Sequence, residues 1–117
     1  MPLTIKNKYG KIIIENEVVA RIAGMAAMDC YGIVGMAAKN IKDGLVQLLK
    51  MESLTKGVHL NISGGSIAID LHIIVEYETN IPAIADSIVS TVKYRVEESI
   101  GLPVAKVNIF IEGVRVE

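Results

Sequence analysis

The segment KGVHLNISGGSIAIDLHIIVEY, residues 56–77, does most to limit how this chain can fold. Val58, Leu60 and Ile62 alternate with His59 and Asn61. Beyond a Gly64-Gly65 pair, Ile67, Ile69, Leu71, Ile73, Val75 and Tyr77 alternate with Ala68, Asp70, His72, Ile74 and Glu76. A period of two is that of a strand with one buried face, and a Gly-Gly pair between two such runs reads as a hairpin turn. A two-residue turn sets Ser63 against Ser66 and, counting back, His59 opposite Asp70, with His72 diagonal to His59 on the same outer face. Such a hairpin has one apolar side to bury, so the rest of the chain must supply a second layer.

Helical spacing on either side of the hairpin supplies it. Val18, Val19, Ile22, Ala23, Met25 and Ala26 recur with the period of a helix from about residue 17 to 30, with Asn16 as the predicted cap and Glu17 in the first turn. Its many small residues allow close approach to a neighbour, and Gly24 costs about 1 kcal/mol relative to Ala unless close packing offsets it. Ile81, Ile84, Ala85, Ile88, Val92 and Val96 form the stripe of a second helix over about 81–99, with Asn80 or Thr79 as cap, Pro82 in the first turn and Gly101 at the exit. Leu45, Leu48 and Leu49, with Asp43 as cap, suggest a short helix over about 43–51. YGKIII, after a short N-terminal arm, and AKVNIFIEGV read as strands, the latter with Val107, Ile109 and Ile111 on one face. The predicted order is β-α-(α)-β-β-α-β, an α+β two-layer sandwich with one mixed sheet and helices on one face, in a single domain spanning 1–117.

Function classes can be set aside on the same grounds. With 12 basic against 13 acidic residues the net charge is −1, so there is no global pull on nucleic acid or anionic lipid. Arg21, Asp29 and Lys39 interrupt the stretch IAGMAAMDCYGIVGMAA and its flanks, leaving apolar runs far short of the roughly 20 residues a bilayer span requires. One cysteine forms no internal disulfide, and the first residues lack a secretory pattern, so a cytoplasmic location is the expectation. Cys30, at a helix C-terminus beside Asp29, sits where thiolate is disfavoured and reads as a packing residue.

The remaining candidates are weak as chemistry. His59, Asp70 and His72 offer at most three metal ligands on an open sheet face, without an evident fourth or a supporting shell, so neither a metal nor a cofactor is predicted. Gly32-Ile33-Val34-Gly35, taken to lie between two helices, has the bare spacing of a loop that clamps a nucleic-acid backbone in KH domains. Its apolar centre points instead to a core-facing helix exit, and a KH-like RNA-binding module stands as the alternative reading. Phosphate-binding, nucleophile-elbow and zinc-protease motifs are all missing, so no catalytic residue is named.

The runs GKIIIENEVVARIAGMAAMDCYGIVGM, LTKGVHL and IAIDLHIIVEYETNIPAIADSIVSTVKYRVEESIGLPVAKVNIFIEGV, taken in order, resemble the alkaline shock protein family, the envelope stress response proteins of Gram-positive bacteria. Glu78 stands where that pattern has glycine after the Tyr, and Asn16 replaces a Ser cap. The resemblance implies a small, abundant, non-enzymatic cytoplasmic protein of cell-envelope homeostasis. It also implies self-association and, in some members, a position near the membrane held by a separate anchor protein. It brings no catalytic, cofactor or metal residues, and no nucleic-acid partner or direct membrane insertion is expected.

Strand parity then locates a surface. Ile74 shares the parity of His72 and Glu76, and Phe110 that of Lys106, Asn108 and Glu112, so both project from the face opposite the helices. Ile13, within the Ile12–Ile14 triplet, is expected to add to the same face from the first strand. Three such residues on one uncovered sheet would form a patch suited to protein contact, with Ile74 and Phe110 as anchors and His59 and His72 at its rim.

Overall fold

The computed structural model describes residues 3–39, 46–63 and 65–116. The chain opens with β1 (Leu3–Asn7) and β2 (Gly10–Ile14), followed by α1 (Asn16–Met28), β3 (Ile33–Lys39) and β4 (Val46–Leu48). A 3-10 turn (Met51–Gly57) leads into β5 (Val58–Ser63) and β6 (Ser66–Glu76), then α2 (Ile81–Ile100) and β7 (Val104–Arg115).

The β5–β6 hairpin has the register that its alternation dictates, with Ser63 against Ser66 and His59 against Asp70. On β6 the odd-numbered side chains from Ile67 to Val75 are fully buried and the even-numbered ones half-buried. The buried parity packs against Val19, Ala23, Ala26 and Ala27 of α1 and Ile84, Ile88, Val92 and Val96 of α2 in one core. Helices therefore cover one face of the sheet. At 1.5–3 kcal/mol per large side chain, the α2 stripe alone contributes on the order of 10 kcal/mol before entropy is subtracted.

β6 is the axis of a five-stranded mixed sheet. Along one edge it pairs antiparallel with β5 over its first half and with β3 near its end; along the other it runs parallel to β7 from Ile67 to Glu76. β4 pairs with the far side of β3. The parallel pair is joined through α2, the strand-helix-strand connection such pairs require. α2 itself has the predicted punctuation: Asn80 Oδ1 accepts from the Ala83 amide at 3.1 Å, and Gly101 closes the helix at φ 81°.

Four expectations are corrected. The N-terminal arm is the strand β1, paired with β2 in a separate two-stranded ribbon, so the first strand does not enter the main sheet and Ile13 is not on its face. Asn16 is inside the first turn of α1 rather than its cap; Glu15 holds the cap position, and Asn16 Oδ1 is buried without a partner. The helix expected over 43–51 is absent where the chain is described, since 46–48 is a strand and the 3-10 turn begins at Met51; Asp43 and Leu45 lie outside the described residues. Val46 and Leu48 alternate about Gln47 as a strand requires, and pairing with β3 decides for the strand. The fourth concerns the glycine turn: α1 ends at Met28 and β3 starts at Ile33, so Gly32–Gly35 joins a helix to a strand. The two flanking helices of a KH-type clamp are not formed there.

Glycine is required at two of these junctions. A Cβ on Gly24 would fall 2.5 Å from Leu54 Cδ1, which is how α1 receives the buried Leu54 of the 3-10 turn. A Cβ on Gly57 would meet the Ala37 carbonyl oxygen at 2.8 Å, so the end of that turn lies directly on the β3 backbone.

Candidate functional site

Parity alone sends Asp70, His72 and Ile74 of β6 to the uncovered side of the sheet, and the flanking strands complete the surface. The parallel register of β6 with β7 sets His72 beside Phe110 and Asp70 beside Asn108, while the hairpin register sets His59 beside Asp70. The side chains use these placements. The His72 ring stacks on Phe110 with centroids 4.8 Å apart and planes 11° from parallel, and the His59 ring meets His72 edge-on at 5.1 Å. His59, His72 and Phe110 thus form a continuous row of rings across three strands, a geometry favoured between aromatic faces and edges.

One polar contact holds the central ring and a second lies beside the row. His72 Nδ1 lies 2.6 Å from Glu112 Oε2, and Asn108 Nδ2 donates to Asp70 Oδ1 at 2.9 Å. Glu112 reaches His72 because β7 carries an irregularity there: Ile73 faces Ile111 and Ile74 faces Gly113, leaving Glu112 as the extra residue. The row is partly open to solvent, with Phe110 44% exposed and His72 and Ile74 half-buried. Ile74, His59, His72 and Phe110 are brought together; Ile13, 52% exposed, belongs to the separate ribbon.

As a metal site the surface is occupied by its own contacts. Asp70 engages Asn108 and His72 engages Glu112, and among the described residues no three His, Cys, Asp or Glu side chains are grouped to hold an ion. Cys30 is half-buried, its Sγ donating to the Ala26 carbonyl at 3.6 Å. Ile33, of the glycine turn, packs against the core while remaining half-buried. A concavity between the helices, lined by Ile22, Met25, Tyr94 and Arg95, lies on the opposite layer. Among the described residues no helix is long and apolar enough to cross a membrane.

Parity had located Phe110 and His72 on one face, but the stack and the His72–Glu112 contact were not visible in the sequence. Both need β7 to lie beside β6, and strand neighbours 40 residues apart leave no local signal.

Among the described residues, fold and surface together define a small α+β protein with one sheet face buried under helices and the other free of them. The chain belongs to the alkaline shock protein 23 family, of cell envelope-related function, which it matches over residues 4–116. It is 51% identical over 117 residues to the protein YloU of Bacillus subtilis, covering 99% of this chain and 98% of that one. Spy1614 of Streptococcus pyogenes is 32% identical over 117 residues, covering 99% and 97%. The stress response regulator gls24 homolog of S. pyogenes is 31% identical over 109 residues; the match takes in 91% of this chain but 59% of that longer protein. Among solved structures, two variants of the MamM CTD superpose with TM-scores of 0.52 and 0.51 at 18% identity, covering 86% and 83% of this chain and 95% and 93% of theirs. At that identity the likeness concerns the fold alone. The family is described by a cell envelope-related function, and the gls24 homolog by stress response.

Proposed function

We propose that this chain is a non-enzymatic component of cell-envelope stress response or homeostasis, working in the cytoplasm through self-association and through a protein partner near the membrane. The observation that carries the reading is the His59–His72–Phe110 row with Ile74 beside it, on the sheet face that, among the described residues, no helix covers. Rings pre-ordered by stacking and, at His72, by the Glu112 contact lose little further freedom on docking, the property that makes such residues effective anchors. Envelope-related function of the family supports the choice of partner class.

Sedimentation velocity of the wild type against the double variant Ile74→Lys, Phe110→Lys tests it. Both chains should be folded by circular dichroism, and the variant should sediment as a smaller species and fail to retain the envelope partner in a tagged pull-down. Equal mass and equal partner capture by the two chains would overturn the reading and move the interaction surface to the helices.

A further inference from the structure

β7 has 12 residues, is bonded to β6 along one edge and, among the described residues, pairs with no strand along the other. A long free edge presents a row of unmatched amide and carbonyl groups, which proteins ordinarily shorten, cover or interrupt. Here the stretch Lys106–Ile111 runs beside β6 without a break, and the two irregularities fall at Ala105 and Glu112, on either side of it. Its face toward the helices carries Val107, Ile109 and Ile111, all only half-buried; its open face carries Lys106, Asn108, Phe110 and Glu112.

We propose that β7 pairs antiparallel with β7 of a second copy about a two-fold axis at Ile109, extending the sheet to ten strands with both helical layers on the same side. The proposal rests on the self-association proposed above and names its surface and register. In this arrangement Ile109 faces its own mate, Val107 faces Ile111, Asn108 faces Phe110 and Lys106 faces Glu112, each non-identical pair occurring twice. The register is selected by charge. Moving the axis to Asn108 would set Lys106 against Phe110, and moving it to Phe110 would set Lys106 against Val114. Only the axis at Ile109 opposes the two charges. Lys106 is exposed and has no ion-pair partner among the described residues, while His72 engages Glu112 through Oε2 and leaves the other carboxylate oxygen for Lys106 of the second copy. Apolar contact on the helix side, ion pairs on the open side and main-chain bonds between them are all satisfied by a second copy of the same strand.

Charge exchange tests both the surface and the register. Lys106→Glu and Glu112→Lys should each raise the dimer dissociation constant about tenfold or more in sedimentation equilibrium, because each sets like charges together twice. The double exchange should return it to within about threefold of wild type. Mild oxidation gives a second readout in a Cys30→Ala background. Facing residues of an antiparallel pair have Cα atoms about 4.5–5.5 Å apart, within disulfide range, so Ile109→Cys should cross-link to its mate while Phe110→Cys should not. Failure of rescue by the double exchange, together with equal cross-linking at the two positions, would overturn the edge pairing. A dimer dissolved by Ile74→Lys yet indifferent to Lys106→Glu would also overturn it while leaving the open-face reading intact. A strictly monomeric wild type would overturn self-association by either route.

Discussion

His72 and Glu112, 40 residues apart in the chain, meet across the parallel β6–β7 pair with Nδ1 and Oε2 2.6 Å apart, at side chains only 23% and 18% exposed. The contact fastens the edge strand to the centre of the sheet on the face that the helices leave bare. A double-mutant cycle with His72→Ala and Glu112→Ala should therefore give a coupling of about 0.5–1.5 kcal/mol in urea denaturation. Additive losses would show that the two side chains are merely adjacent.

Asn80 and Asn16 form a natural contrast. Asn80→Ala removes the bond to the Ala83 amide and should lower stability by about 1 kcal/mol. Asn16→Ala removes an oxygen that is buried without a partner, and should be neutral or stabilising. Thermal melts of the two variants, run side by side, check the order; a larger loss at Asn16 would refute it.

Glu78 has φ 64°, the left-handed region, at the position following Tyr77. An L side chain is strained there and glycine is not. Glu78→Gly should raise stability by about 0.5–1 kcal/mol, read from the midpoint of chemical denaturation, and Glu78→Ala should bring no such gain.

The two glycines beneath the 3-10 turn should respond unequally. At Gly57 the obstacle to a Cβ is the Ala37 backbone, which cannot swing aside, so Gly57→Ala should cost about 1–3 kcal/mol. At Gly24 the obstacle is the end of the Leu54 side chain, and the higher helix propensity of Ala offsets part of its displacement, so Gly24→Ala should cost less. Reversal of that order in denaturation midpoints would disprove the account.

Calorimetric titration with zinc should show no stoichiometric binding at micromolar affinity, since Asp70 and His72 are already engaged by Asn108 and Glu112. Micromolar binding abolished by His72→Ala would contradict this.

What could be read from the sequence was whatever is decided within a few residues. The hairpin register from Ser63–Ser66 back to His59–Asp70 follows from alternation and turn length, and α2 from its stripe, Asn80 and Gly101. The face of Ile74 and Phe110 follows from parity. The position of β2 outside the main sheet does not, because GKIII has the same pattern in either place and pairing with β1 decides. Asn16 failed as a cap because helix boundaries are blurred by a residue or two: Glu15, which makes no side-chain cap bond, took the extended conformation one residue earlier. The ring row required the one long-range fact, β7 beside β6, that local pattern does not contain.

Strand β6 touches β5, β3 and β7, and its inward side chains are fully buried from Ile67 to Val75. None of its amides can open to solvent by the loss of one neighbour alone without exposing core shared by both helices. Amide protons of β6 should therefore exchange only through global unfolding and report the full stability of the domain. Those of the β1–β2 ribbon, outside the main sheet and tied to the core through Leu3 and Ile14, should exchange sooner, through local opening. On this expectation the chain has a cooperative body and an appendage that opens more readily, pinned to the core through Leu3, and the line between them runs at Glu15, where the ribbon ends and α1 begins.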